Sequence, residues 1–217
     1  GLNIGPVLTI SEDQNGLVWL GTFSAGLVQY NPANNDYEIY TEIEDVDLTK
    51  SAMFSVETDE GLVWIGSYEG GLNCFNPARG TIESYMPDPN DPNSIISNSL
   101  WTLRKDHNNR LWIGTRKNGL CYYDLRNKKF VNLKPDSNQA DFRKILNIVK
   151  YKNQILASSE GVLKYDYNQD ELKVLLTKDE VFDNTIQSIV IDSSHGYYWL
   201  STNNGLIRYN YQNGESH

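Results

Sequence analysis

An all-β fold of repeated four-stranded sheets is predicted by three features of this 217-residue chain. One segment recurs at a period near 44 residues, short β-branched and aromatic runs are separated by turn signals, and no stretch sustains helical periodicity. The recurrence is plainest in DQNGLVWLGTFSAGLVQYN (13–31), DEGLVWIGSYEGGLNCFN (59–76), NNRLWIGTRKNGLCYYD (108–124) and GYYWLSTNNGLIRYN (196–210). A degenerate fifth copy, NQILASSEGVLKYD (153–166), keeps the closing Gly-apolar-apolar-x-Tyr. Aligning Trp19, Trp64, Trp112, Ile155 and Trp199 gives successive spacings of 45, 48, 43 and 44 residues. Four short strands in such a period, repeated radially, make the blade of a β-propeller. The expected architecture is a β-propeller of four-stranded antiparallel blades, with about five blades present, near 7–41, 51–85, 98–133, 145–176 and 186–211, as part of a larger ring.

Within a copy the elements follow one order. A first strand carries apolar side chains, as in Val7-Leu8-Thr9-Ile10, Phe54-Ser55-Val56 and Ile189-Val190-Ile191. An Asp- and Gly-rich turn ends it (13–16, 59–61, 192–196), and the recurring acidic residues at 13, 59, 106 and 192 suit an Asx-type turn cap better than a metal or acid-base role. The Trp-bearing second strand comes next, then a turn of small residues and a third strand ending in Tyr30, Phe75, Tyr123, Tyr165 or Tyr209. A fringe strand closes the copy, as in Tyr37-Glu38-Ile39-Tyr40 and Ile82-Glu83-Ser84-Tyr85. The last copy stops at Tyr209-Asn210-Tyr211 without a clear fourth strand, and copy four, lacking Trp and Asp turn, predicts a poorly formed blade. The Pro-rich stretch Met86–Pro92 reads as an ordered connection between blades, because the repeat phase resumes at once.

A blade is covered on both faces by its neighbours, so its middle strands need bulky side chains on alternating sides. Trp19, Trp64, Trp112 and Trp199 are therefore assigned to the layers between blades, not to a ligand platform. Gly21, Gly66 and Gly114, with Ala157 and Ser201 in the other copies, suit close backbone approach or a positive φ. Cys74 and Cys121 lie one residue out of phase on neighbouring third strands, which predicts side chains on opposite sheet faces and two buried, unlinked thiols.

Composition excludes several classes. Aromatics at 12% and apolar residues at 39% are too many for a disordered chain, and no apolar run approaches the roughly 18 residues of a membrane helix. A net charge of -9, with basic residues only in pairs (Arg104-Lys105, Arg116-Lys117, Lys128-Lys129), argues against nucleic acid as partner. The chain opens on Gly1 without Met or signal peptide, which predicts a start inside something longer or after processing.

The pattern apolar-x-x-apolar-x-x-Asp, turn, Leu-x-Trp-Ile-Gly-Thr, x-x-x-Gly-Leu-x-x-Tyr-Asn/Asp closely resembles the two-component regulator propeller repeat. Residues 103–124 (LRKDHNNRLWIGTRKNGLCYYD) are a near-consensus copy, and PNDPNSIISNSLW (89–101) resembles that family's connection between blades. The resemblance implies the extracytoplasmic sensor region of a hybrid two-component histidine kinase of the kind found in gut and soil Bacteroidetes. Such receptors typically carry two seven-bladed propellers, an immunoglobulin-like domain, a membrane helix, a kinase and often an AraC-type output domain. Many detect oligosaccharides and so regulate glycan-utilisation genes. It therefore implies a periplasmic location, an oligosaccharide ligand, the receptor's remaining blades and domains as partners, a homodimer in the full receptor, and no cofactor, metal or catalytic residues in this segment.

Two other readings stay open. Similar repeats occur in virginiamycin B lyase, a propeller enzyme that uses a His base and a divalent metal; here only His107, His195 and His217 are available, the first two in turns on the face opposite the expected ligand face. A protein-interaction scaffold is the third class. If a ligand binds, the variable loops between second and third strands are the candidates: Phe23-Ser24, Tyr68-Glu69, Arg116-Lys117, Ser159-Glu160 and Asn203-Asn204.

Overall fold

Strands of four to seven residues with bulky side chains on both faces cannot stand alone in water; each sheet needs another on either side. The computed structural model of the protein describes residues 4–133, 142–182 and 185–216, so Gly1 and His217 lie outside the described residues. Blade one contains β1 (Val7–Glu12), β2 (Val18–Thr22), β3 (Leu27–Asn31) and β4 (Asp36–Tyr40). A short ribbon, β5 (Glu42–Ile43) with β6 (Val46–Asp47), leads to blade two, built of β7 (Met53–Asp59), β8 (Leu62–Ser67), β9 (Leu72–Asn76) and β10 (Thr81–Tyr85). Blade three is β11 (Leu100–Lys105), β12 (Arg110–Thr115), β13 (Leu120–Asp124) and β14 (Lys129–Asn132). Blade four is β15 (Asn147–Tyr151), β16 (Gln154–Ser158), β17 (Val162–Asp166) and β18 (Glu171–Leu176). Blade five has three strands, β19 (Ile186–Asp192), β20 (Tyr197–Thr202) and β21 (Gly205–Asn210), followed by a single bridge between Tyr209 and Ser216. Every sheet is an antiparallel meander in sequence order, and neighbouring blades approach most closely through their first strands. The only helical segment among the described residues is a 3-10 turn at Asp179–Val181.

Each layer between blades takes the tryptophan of one second strand and the apolar faces of the next blade. Trp19 packs with Met53, Val56, Ile65 and Phe75; Trp64 with Leu100, Leu103 and Leu111; Trp112 with Ile145, Ile148 and Tyr165. Trp19 is 1% exposed and Trp112 fully buried. Trp199 holds the same register position, opposite Val190, but is only half-buried, because no sheet among the described residues lies against its face of blade five.

Blade four corrects two sequence expectations. It is a complete four-stranded sheet, not a poorly formed one, and Ile155, Leu156 and Ala157 are buried throughout. Ile155 and Ala157 face blade three beside Trp112, whereas Leu156 faces blade five with Ile189 and Leu200. Leu156, not Ile155, therefore stands where the other blades carry Trp, and Ser158, not Ala157, stands at the glycine position. The one-residue difference follows from side-chain alternation, which the degenerate sequence masked.

The glycines settle on the first of their two explanations. None of Gly21, Gly66 and Gly114 has a positive φ. A Cβ on Gly114 would lie 2.5 Å from Thr102 Cγ2 of its own blade and 2.7 Å from Ile145 Cγ2, so this position admits the segment that leads into the first strand of the next blade.

Cys74 and Cys121 are free and buried. Their phase difference does put them on opposite faces of their own sheets: Cys74 opposes Trp64, and Cys121 opposes Ile113. In adjacent blades those two faces meet, and both thiols lie in the single layer between blades two and three. The premise was right and the separation inferred from it was not, because the sheets stack face to face.

Candidate functional site

The first-to-second-strand turns form one end of the molecule. The carboxylate of Asp106 accepts from the backbone N–H of Asn108 (2.7 Å) and Arg110 (3.0 Å), and from the indole Nε1 of Trp112 (2.7 Å). Asp13 accepts likewise from Asn15, Leu17 and Trp19. The turn aspartates thus fasten both their turn and the blade's tryptophan. In blade two Asp59 is held by Lys105 instead, and the Trp64 indole N–H has no partner among the described residues. His107 and His195 lie at this end, His107 against Tyr167 and His195 Nδ1 2.8 Å from Asp192 Oδ2. The end is acidic, with Asp13, Glu57, Asp59, Glu60 and Asp106 around one depression. Among the described residues no group of three or more His, Cys, Asp or Glu is placed to hold a metal ion.

The second-to-third-strand loops lie at the other end. Three begin at a threonine hydroxyl that grips the loop: Thr22 Oγ1 donates to the Gly26 carbonyl (2.7 Å) and Thr115 Oγ1 to Gly119 (2.8 Å), both buried, and Thr202 Oγ1 to Gly205 (2.9 Å) in a more open loop. Backbone bonds tie the same loops to the residue preceding the first strand: Phe23 N–H to Pro6, Tyr68 to Ala52 and Arg116 to Ser99. The candidate side chains therefore rise from rigid backbone.

Four of them, counting Ser24, converge. Phe23, Tyr68 and Arg116 line a cleft of about 470 Å³ across blades one to three, together with Ser24, Lys50 and two further aromatics, Phe54 and Trp101. Arg116 Nη1 donates to the Tyr68 hydroxyl (2.7 Å), and its guanidinium lies over the rings of Tyr68 (5.0 Å) and Trp101 (6.0 Å). Phe54 and Trp101 stand 6.1 Å apart between ring centres, and the Trp101 indole N–H is buried without a partner among the described residues. A second cavity, about 460 Å³, shares Arg116 and adds Lys117, Arg143, Lys144 and Glu160. Glu69, Asn203 and Asn204 are exposed and outside the aromatic cleft, Asn203 on the distant loop of blade five, where it accepts from Gln187 Nε2 (2.7 Å).

Sequence reading missed Phe54 and Trp101, though a signal was present. Pairing in β7 skips from Met53 to Ser55, and in β11 from Leu100 to Thr102, so Phe54 and Trp101 are the extra residues of two β-bulges. A bulge turns its extra side chain away from the alternation of the strand. Consecutive bulky residues, Met53-Phe54 and Leu100-Trp101, at the head of a strand that otherwise alternates were the trace of it.

A cleft walled by aromatic side chains, Phe23 exposed and Phe54, Tyr68 and Trp101 half-buried, with hydroxyl and guanidinium donors at its edge, can stack the apolar face of a sugar ring and bond its hydroxyls.

Solved structures share this fold. The extracellular domain of a hybrid two component system from B. thetaiotaomicron superposes with a TM-score of 0.79 at 21% identity, covering 100% of this chain and 30% of that one. A second such extracellular domain from the same organism gives 0.75 at 16% identity, covering 98% and 30%. PorZ, a surface component of the type-IX secretion system of Porphyromonas gingivalis, gives 0.66 at 15%, covering 96% and 32%. The chain thus spans about a third of the length of these relatives in fold. No curated protein matches the chain. The signature described as two component regulator propeller matches residues 1–24 and 94–117. Those two stretches match the two component regulator propeller repeat, and the four-stranded sheets of this chain share the fold of the extracellular domains above.

Proposed function

We propose that the chain is a ligand-sensing segment of the extracytoplasmic region of a hybrid two-component receptor, and that its ligand is a short oligosaccharide. The observation that carries this reading is the pair of bulges that aim Phe54 and Trp101 into the cleft beside Tyr68 and Arg116. Repeat type and shared fold support the receptor context. In that context the segment lies in the periplasm, the histidine kinase belongs to another part of the receptor, and its partners are neighbouring blades and a second receptor copy. No helix among the described residues is long and apolar enough to cross a membrane. His107 and His195 sit at the far end of strands that are roughly 20 Å long, out of reach of a ligand in the cleft, which weighs against turnover by a His base.

The test is calorimetric titration with a panel of defined oligosaccharides. A binder is expected to leave unaltered product on chromatography, and Trp101→Ala is expected to weaken it about tenfold or more, since stacking on an aromatic face contributes of order 1–2 kcal/mol. Absence of binding across the panel, or affinity untouched by both Trp101→Ala and Phe54→Ala, overturns the reading. Hydrolysed or eliminated product would move the assignment to an enzyme.

A further inference from the structure

We propose that the layer between blades two and three holds a second binding site, opening at the turn end, and that it takes a small phenol: one aromatic ring with a hydroxyl and room for a short substituent. The site begins with a shortened turn. In blades one and three, three residues separate the turn aspartate from Leu17 or Arg110, whose N–H it holds, and its carboxylate also reaches the tryptophan indole. Blade two has only Glu60 and Gly61 there, both at positive φ (49° and 82°), a tight hairpin of the I′ kind. Asp59 therefore stays in the ladder, paired with Leu62, and its carboxylate goes to Lys105. Trp64 is 3% exposed, and its indole N–H is buried with no acceptor among the described residues. A buried donor left in that state forfeits its hydration without return.

A cavity of about 350 Å³ lies against Trp64, with Tyr85 and Tyr123 also in its wall. In the layer between blades three and four the protein fills the same place itself. There the Tyr167 hydroxyl accepts from the Trp112 indole (3.2 Å), and the Arg110 guanidinium lies 4.6 Å from the centre of the Tyr122 ring and 5.4 Å from that of Tyr167. One blade earlier, Leu125 follows the third strand where Tyr167 does, Leu62 opens the second strand where Arg110 does, and Cys74 opposes the tryptophan where Tyr122 does. All three line the cavity. Two phenol rings and a guanidinium are thus replaced by two leucines and a thiol, and the space they give up is the cavity. A free phenol restores the ring and hydroxyl of Tyr167. Its ring joins those of Trp64, Tyr85 and Tyr123, which already pack with centres 5.2–6.2 Å apart, and its oxygen accepts from the Trp64 N–H. Asp59 and Glu60 also line the cavity, so the phenol's own proton meets a carboxylate, as that of Tyr167 meets Asp106. The site lies at the opposite end of the blades from the aromatic cleft and does not depend on the oligosaccharide reading.

The probe is p-cresol, the free side chain of tyrosine, with toluene, which has the same ring and no hydroxyl, as its control. The readout is the set of tryptophan indole N–H signals in a nitrogen–proton correlation spectrum, assigned by single Trp→Phe variants. Titration to about 10 mM p-cresol is expected to shift the Trp64 signal saturably, since a ligand of so few atoms binds weakly. Toluene is expected to bind about fivefold or more weaker, and the difference should vanish in Trp64→Phe, which keeps a ring and removes the donor. Leu125→Tyr rebuilds the Tyr167 arrangement inside the cavity and should raise the Tm and exclude p-cresol. A Trp64 signal that stays in place, or toluene binding as tightly as p-cresol, overturns the proposal. So does undiminished p-cresol binding to a folded Leu125→Tyr, and so does a shift of the Trp101 signal alone, which would place the phenol in the other cleft.

Discussion

A tryptophan at one register position bears differently on stability from blade to blade, because burial depends on whether a sheet follows. Trp112→Ala should cost about 3–5 kcal/mol by opening a cavity beside Ile145 and Tyr165. Trp199→Ala, at the half-buried equivalent, should cost less than half as much in the same denaturant titration. Equal losses would contradict the layer assignment. At Gly114 the constraint is space: Gly114→Ala should destabilise by about 1–3 kcal/mol, since Thr102 and Ile145 leave no room for a methyl group. The cysteines give a third residue-scale check. Burial pushes the thiols of Cys74 and Cys121 up to about 12. Both should be silent to a thiol reagent at pH 8 in the native protein, and both should react once guanidinium unfolds it. Fewer than two thiols in the unfolded protein would reveal a bridge.

At the scale of the element, the loops between second and third strands are shaped by the threonine hydroxyls that start them. Thr115 accepts from the Asn118 N–H (2.9 Å) and donates to Gly119, while fully buried itself. Thr115→Val keeps the shape and removes both bonds, so about 1–2 kcal/mol of stability should be lost, with faster amide exchange confined to Arg116–Gly119. Unchanged exchange there would mean that the backbone bonds alone hold the loop. Blade four shows how far an element can drift in sequence and persist. Leu156 fills the tryptophan place and Ser158 the glycine place, and β15 pairs with β16 without the bulge present in the four other first strands. Lacking the bulge, it has no extra side chain at the position of Phe54 and Trp101.

At the scale of the whole molecule, the two outer sheet faces stand apart from the inner ones. Ile10 is 67% exposed, although its register equivalents Val56, Leu103 and Ile189 are buried. On the far face of blade five Val190 and Leu206 are 62% and 60% exposed around the half-buried Trp199. Apolar faces of this kind fit the proposal that neighbouring blades cover them in the intact ring. Residues 1–217 alone should self-associate in sedimentation runs. A form extended by flanking blades should be monomeric in its propeller and melt higher. A stable monomer of 1–217 melting as high as the extended form would make the five sheets self-sufficient and sink that proposal.

Period, strand order and the tryptophan layers were legible in the sequence because each depends on local alternation repeated at fixed spacing, which survives without knowledge of the partner strand. The loops bearing Phe23, Tyr68 and Arg116 were legible for the same reason, as the variable positions of a regular unit. Other features needed the tertiary structure: the bulges that present Phe54 and Trp101, the true phase of blade four, and the meeting of Cys74 and Cys121 in one layer. So did the gathering of Arg143 and Lys144 beside Arg116 and the ribbon between blades one and two. Each arises from the register between strands, fixed by pairings across a hairpin, or from the stacking between sheets, fixed by contacts some 45 residues apart that no local window contains.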